Sequence, residues 1–240
     1  MSGLESNDRS SEHSARRVIR VGHRGAAGHA PENTLAAIHA GIAYGVDFVE
    51  IDLRRTADGA LVALHDATVN RTTDGSTRVN RLSLQEVKRL DAGNGTRIPT
   101  LEEALEAAAG RTGLILELKV TGIARQTVDA VRQAEFKNPV IYASFQHEEL
   151  TAVRKADPDA SLMVLFDRFP AVSVARAMKY APSYVGLRHS KATLRLVESL
   201  HRANLLVFVY TPNRPADIQR ALSLGVDGVI SNFPDRIPCG

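Results

Sequence analysis

The sequence predicts an α/β protein, a closed (β/α)8 TIM barrel. Strand-patterned and helix-patterned segments alternate through the second half of the chain in units of roughly 20 to 25 residues, the size of βα repeats joined by short loops. Setting aside a hairpin arm at residues 61–64 leaves eight parallel-type strands. A doubly wound sheet would also alternate, but no Gly-x-Gly-x-x-Gly follows the first strand to anchor a nucleotide.

Residues 18–22 form an apolar run too short for a helix and read as the first strand. Leu35, Ile38 and Ile42 fall at helical spacing in residues 34–44, with Asn33 placed to cap the helix and Gly45 to stop it. Residues 47–54 form the second strand, whose alternation puts Glu50 and Asp52 on one face. A turn at Asp58-Gly59 returns the chain into residues 61–64 as a hairpin, which ends on His65-Asp66. Residues 70–79 read as a polar loop. Ser83 with Glu86, and Thr100 with Glu103, have capping-box spacing for helices over residues 84–90 and 101–109. The strand at residues 113–119, GLILELK, carries Glu117 and Lys119 at its end. Helices at residues 123–135, 148–156, 172–179, 192–203 and 216–224 then alternate with strands at 140–143, 162–166, 184–187, 205–210 and 227–231.

Composition narrows the classes. A chain of 240 residues with 44% hydrophobic and 24% charged residues can bury a substantial core. A formal charge of +3 suits an anionic small-molecule substrate and is far from the clustered basic stripe of a nucleic-acid binder. Cys239 is the only cysteine, so no intramolecular disulfide forms, as expected of a reducing compartment. No apolar run is long enough to span a bilayer, so no stable membrane insertion is expected. Residues 1–17 are polar, lack a signal-like apolar stretch and read as a disordered lead to a domain at residues 18–240. The expected location is the cytoplasm.

In such a barrel the site lies at the C-terminal strand ends. His23, Glu50, Asp52, Glu117, Lys119 and Tyr210 all fall there, and His65 joins them if the hairpin arm folds over the mouth. Three like charges need a positive partner. Lys119 and Arg24 would supply it in a purely structural ion-pair network. A hard divalent cation, Mg²⁺ or Ca²⁺, would supply it in a metal site, and nothing in the chain suggests the Cys/His set of zinc. His23 and His65 each end an apolar extended run beside charged neighbours, which suits general acid–base work. The histidines at 13, 29, 39, 147 and 201 read as structural or exposed, and His189, after the sixth strand, is not placed in the mouth. Arginine and lysine beside a cation would neutralise a phosphate ester, which points to phosphoryl chemistry.

The ordered set His23-Arg24-Gly25, Pro31-Glu32-Asn33-Thr34, Glu50-x-Asp52, Asp58-Gly59, His65-Asp66, Ile98-Pro99-Thr100-Leu101-Glu102-Glu103, Glu117-Leu118-Lys119, Ser144-Phe145 and Gly225-Val226-Asp227-Gly228-Val229-Ile230 resembles the glycerophosphodiester phosphodiesterases over nearly all of the chain after its lead. The resemblance implies a barrel with a small insertion after the second strand. It implies a divalent metal on Glu50, Asp52 and Glu117, His23 and His65 as the acid–base pair, and Arg24 and Lys119 on the phosphate. It also implies hydrolysis of glycerophosphocholine, glycerophosphoethanolamine and the like to sn-glycerol 3-phosphate and an alcohol, beginning with attack by the substrate's glycerol 2-hydroxyl.

Two positions depart from the family's pattern. Tyr210-Thr211-Pro212-Asn213 stands where Trp-Thr-Val-Asn is usual; tyrosine keeps an aromatic wall and adds a hydroxyl that could alter the choice of substrate group. Ser231-Asn232 stands where Thr-Asp is common, a change read as structural because no metal ligand maps there. Competing readings are a lysophospholipase D-like enzyme, against which the polar loops at residues 70–79 and 93–97 weigh, and a non-catalytic phosphodiester-binding barrel.

Overall fold

Alternation along the strands sorts this chain's side chains into an outer core under the helices and an inner core inside the ring. The computed structural model describes residues 17–167 and 173–239, so the expected disordered lead lies outside the described residues except for Arg17. The strands are β1 (Ile19–Gly22), β2 (Phe48–Arg55), β3 (Leu61–Ala63), β4 (Gly113–Leu118), β5 (Val140–Ser144), β6 (Ser161–Phe166), β7 (Tyr184–Arg188), β8 (Leu206–Tyr210) and β9 (Gly228–Ser231). β1 pairs in parallel with both β2 and β9, which closes eight parallel strands into a barrel. β3 lies outside the ring, antiparallel on β2 with Leu53 opposite Ala63, as the hairpin turn predicts. Gly59 makes that turn at φ +93, a conformation that favours glycine.

Helices α1 (Leu35–Ala43), α2 (Leu84–Val87), α3 (Leu101–Ala108), α4 (Ala124–Gln133), α5 (His147–Ala156), α6 (Ser173–Met178), α7 (Leu194–Arg202) and α8 (Pro215–Ser223) follow the expected order. Both capping boxes form, Ser83 with Glu86 and Thr100 with Glu103. Three expectations change. The cap of α1 is Thr34, whose side chain accepts from Ala37 N–H, while Asn33 is used elsewhere. α2 ends at Val87 instead of reaching Leu90, and Leu90 packs on the insertion's own core. The helix expected over 172–179 spans Ser173–Met178, and Val172 lies outside the described residues.

On β2, Val49, Ile51 and Leu53 join the outer core with Leu114, Leu116 and Leu118 of β4. Phe48 and Ile115 take the opposite face and pack inside the ring with Val21, Met163, Phe208 and Ile230. Period two then places Glu50, Asp52 and Glu117 on that inward face, above the apolar plug. Between β3 and α3, Val62, Leu64, Val69, Val79, Val87, Ala92 and Ile98 build a separate small core. The insertion is therefore a packed unit, and it holds His65 over the barrel mouth.

Candidate active site

Register determines which carboxylates meet. Asp52 stands opposite Glu117 in the β2–β4 ladder, and Glu50 lies one inward step below on β2. Their ligand oxygens all fall within 4.8 Å of one another, and all three residues are buried. Each carboxylate has one oxygen engaged. Glu50 Oε2 accepts from Arg24 N–H at 2.8 Å, Asp52 Oδ2 from Asn33 Nδ2 at 2.8 Å, and Glu117 Oε1 from Lys119 Nζ at 2.7 Å. Glu50 Oε1 and Asp52 Oδ1 are buried with no hydrogen bond, although Lys119 Nζ stands 3.4 Å from the latter.

Charge and burial oppose ionisation of two of the three acids. Burial, then the charges of Asp52 and Glu117, push the Glu50 carboxyl well above its usual range. Burial and Asp52 push Glu117 up to about 7 against the pull of Lys119. Burial also acts to raise Asp52, but Lys119 and Arg24 outweigh it and hold that carboxyl low. Two orphaned carboxylate oxygens beside a third acid form a hard oxygen donor set, and these residues can hold a divalent metal ion.

The first βα loop wraps tightly around the cluster. Gly25 sits at φ +88, and a Cβ there would come within 2.4 Å of the Ala37 backbone, so α1 can press against the loop only over glycine. Arg24 and Asn33 also occupy the left-handed region, at φ 50 and 55, which costs about 1–3 kcal/mol for a residue with a side chain and clusters at functional sites. Asn33 also accepts from Asp52 N–H at 3.1 Å, so its side chain clamps Asp52 from both sides. The Arg24 guanidinium bonds Glu32 at 2.7 Å and lies 3.2 Å from Asp52. It is thus oriented by two acids while lining the cleft.

The two histidines have different partners. His23 Nδ1 lies 2.6 Å from Asn232 Oδ1, and its Nε2 lies 3.9 Å from Glu50. His65 is brought in by Leu64 N–H, which donates to Asp52 O, and by Arg54 Nε, which donates to His65 O. Its Nδ1 meets Asp66 at 2.7 Å, and Arg71 bridges Asp66 to Glu32. Burial, then Arg24, lowers His23 to about 4. Burial also lowers His65, against the carboxylates of Asp52 and Asp66. The Arg71 hydrogen bond holds Asp66 well below the usual range.

A cleft of about 250 Å³ brings together His23, Arg24, Glu50, His65, Glu117, Lys119 and Tyr210, with Asp52 buried beneath it. Its far wall is apolar, built from Ala143, Phe145, Met163, Leu165 and Ile230, with Asp167 and Arg188 paired at the rim. The Tyr210 hydroxyl donates to Phe166 O at 2.8 Å, so its ring forms the wall while its hydroxyl is tied down. His189 does not line this cleft; His147 is buried and bonded to Leu165 O; His29 and His201 pair with Asp235 and Asp227.

Sequence reasoning missed five polar partners. Asn33 was assigned to a helix cap, and Glu32 and Asp66 sat in recognised motifs without a role. Arg71 lay in a polar loop with no distinguishing signal. Asn232, read as structural, lies against His23 across 209 positions.

The model of the glycerophosphoryl diester phosphodiesterase family matches residues 23–236. A glycerophosphodiester phosphodiesterase of Caldanaerobacter subterraneus subsp. tengcongensis is 32% identical over 234 residues, covering 92% of this chain and 96% of the relative. One from Bacillus subtilis is 30% identical over 253 residues, covering 91% and 85%. Among solved structures, an Oleispira antarctica phosphodiesterase in complex with the product sn-glycerol-3-phosphate superposes with a TM-score of 0.84 at 30% identity, covering 90% of this chain and 94% of that one. A match that begins at His23 and ends beyond β9 takes in every residue of the cleft, and the chain belongs to the glycerophosphoryl diester phosphodiesterase family of hydrolases.

Proposed function

We propose that the chain hydrolyses glycerophosphodiesters such as glycerophosphocholine and glycerophosphoethanolamine to sn-glycerol 3-phosphate and an alcohol, with Mg²⁺ or Ca²⁺ on Glu50, Asp52 and Glu117. The observation that carries this reading is one cleft lined by His23, His65, Arg24 and Lys119 over the cluster of Glu50, Asp52 and Glu117. The product bound to the Oleispira antarctica relative supports the glycerol phosphate half.

Glu50, Asp52 and Glu117 would hold the divalent ion, which would supply positive charge against the phosphate. Arg24 and Lys119 orient the phosphate and share its developing charge. His23 acts as the base. Its partner is an amide, which supports a neutral ring, so its Nε2 takes the proton of the substrate's 2-hydroxyl as that oxygen bonds to phosphorus. His65 acts as the acid. Asp66 supports the imidazolium form, and His65 delivers its proton to the leaving alcohol oxygen as the phosphorus–oxygen bond breaks. For the second half the roles reverse: His65 takes a proton from water attacking the cyclic phosphate, and His23 returns one to the 2-oxygen.

Release of glycerol 3-phosphate from glycerophosphocholine, with and without chelator, tests the proposal in wild type, His23→Ala and Glu50→Ala. Turnover that survives chelation would sink the metal assignment, and full activity in both variants would sink the site. One observation favours a second substrate. Phe145 of the apolar wall is 41% exposed, a place where the chain of a lysophospholipid could lie, and choline release from lysophosphatidylcholine decides that scope.

A further inference from the structure

The loop after β9 is held more firmly than a connecting loop requires. Asn232 N–H donates to Asn213 Oδ1 at 3.0 Å, and Asn232 O accepts from Gly28 N–H at 2.8 Å. Ser231 Oγ donates to the same Asn213 oxygen at 3.2 Å and accepts from Phe233 N–H at 3.1 Å. One position earlier, Ser231 O receives His23 N–H at 2.9 Å, which locks β9 to β1. With both backbone groups of Asn232 satisfied, its side chain is not needed to hold the loop. It reaches the imidazole of His23 instead, at 2.6 Å.

We propose that Asn232 is a positioning residue for the acid–base chemistry: its side-chain oxygen accepts the Nδ1–H of His23 and so holds the ring in the tautomer whose Nε2 lone pair faces the carboxylate cluster. This rests on His23 being the base. A neutral imidazole carries one proton, so an acceptor at Nδ1 leaves Nε2 free to take one. Nε2 is the nitrogen on the Glu50 side, which is where the phosphate must sit to reach a cation on that carboxylate. The opposite orientation of the amide would donate to Nδ1, put the proton on Nε2 and remove the base. A neutral acceptor also fixes the ring without adding a fourth negative charge to a site that already holds three acids.

The test combines tautomer and kinetics in the Mg²⁺-loaded protein. Nitrogen-15 NMR of the histidine rings, with His23→Gln to assign the signal, should show His23 protonated at Nδ1 in wild type. Asn232→Leu, which keeps the branched shape and loses the acceptor, should show the other tautomer or a mixture. Its kcat should fall by roughly 10²- to 10⁴-fold with KM little changed, as expected when a base is held in the wrong tautomer. Asn232→Asp restores an acceptor and should recover most of the lost kcat. A wild-type ring protonated at Nε2 overturns the proposal even if Asn232→Leu fails to fold. So does Asn232→Leu with unchanged tautomer and kcat while His23→Ala is inactive. An active His23→Ala would instead overturn the assignment of His23 as base.

Discussion

Replacing Glu117 by glutamine tests whether the carboxylate cluster is built for a cation. Burial, and then the charge of Asp52, push the Glu117 carboxyl from 4.5 up to about 7. At about 1.4 kcal/mol per unit, this sets on the order of 3 kcal/mol against its ionisation. Because the folded value lies above the unfolded one, the native chelated protein keeps a proton that the unfolded chain releases. That contribution is complete below pH 4.5 and is lost as pH rises through about 7. His23 acts in the opposite sense. Its folded value of about 4 lies below 6.5, so its contribution is lost as pH falls through that window. The difference between wild type and Glu117→Gln removes the His23 contribution and reads the Glu117 carboxyl together with its coupling to Glu50. Urea unfolding in EDTA should show the wild type losing up to roughly 3 kcal/mol relative to the variant as pH rises across this range. Adding Mg²⁺ or Ca²⁺ at about a hundred times its Kd should stabilise the wild type by about 2.7 kcal/mol near pH 8. The gain should shrink in mild acid, where protons compete for the ligands, and should largely vanish in the variant. A cation gain that is equal in both proteins, or insensitive to pH, would refute the reasoning.

Other expected outcomes follow from single contacts. His65→Ala should lower kcat by about 10²- to 10⁴-fold, and Asp66→Asn by less, because the ring remains while its orienting carboxylate is lost; equal kinetics for Asp66→Asn and wild type would remove Asp66 from the acid's support. Gly25→Ala places a Cβ 2.4 Å from the Ala37 backbone at φ +88, and should cost on the order of 1–3 kcal/mol in urea unfolding. Tyr210→Phe loses the bond to Phe166 O, so stability should fall by about 0.5–1.5 kcal/mol while the ratio of glycerophosphocholine to glycerophosphoethanolamine turnover holds. A changed ratio would mean that the hydroxyl selects the alcohol.

The family, the barrel and the three clustered acids were all legible in the chain because each is written in short-range pattern. Period two along residues 48–54 and 113–118 assigns Glu50, Asp52 and Glu117 to one face. The Asp58-Gly59 turn marks β3 as a hairpin arm, so the parallel strands count correctly. Asn33 shows where local reading fails. Its position before a helical run is that of a cap, yet at φ 55 its side chain turns back onto Asp52, and the neighbouring Thr34 caps instead. Nothing local separates the two choices, since the competing partner is 19 positions away.

By itself, then, the sequence determined the ring of strands, the chemistry gathered at its C-terminal ends and the family to which the chain belongs. The tertiary structure alone decided which partner each of these groups has. Closing β1 onto β9 brings Asn232 to His23, and packing the insertion's small core sets His65 and Arg71 over the mouth. The first depends on barrel closure, which joins residues far apart along the chain by burying surface from strands that share no local signal, and the second on packing the insertion against β2. The amide on His23 exists only once the ring is shut, while the carboxylate on His65 is its neighbour in the chain and is aimed at the mouth by the insertion.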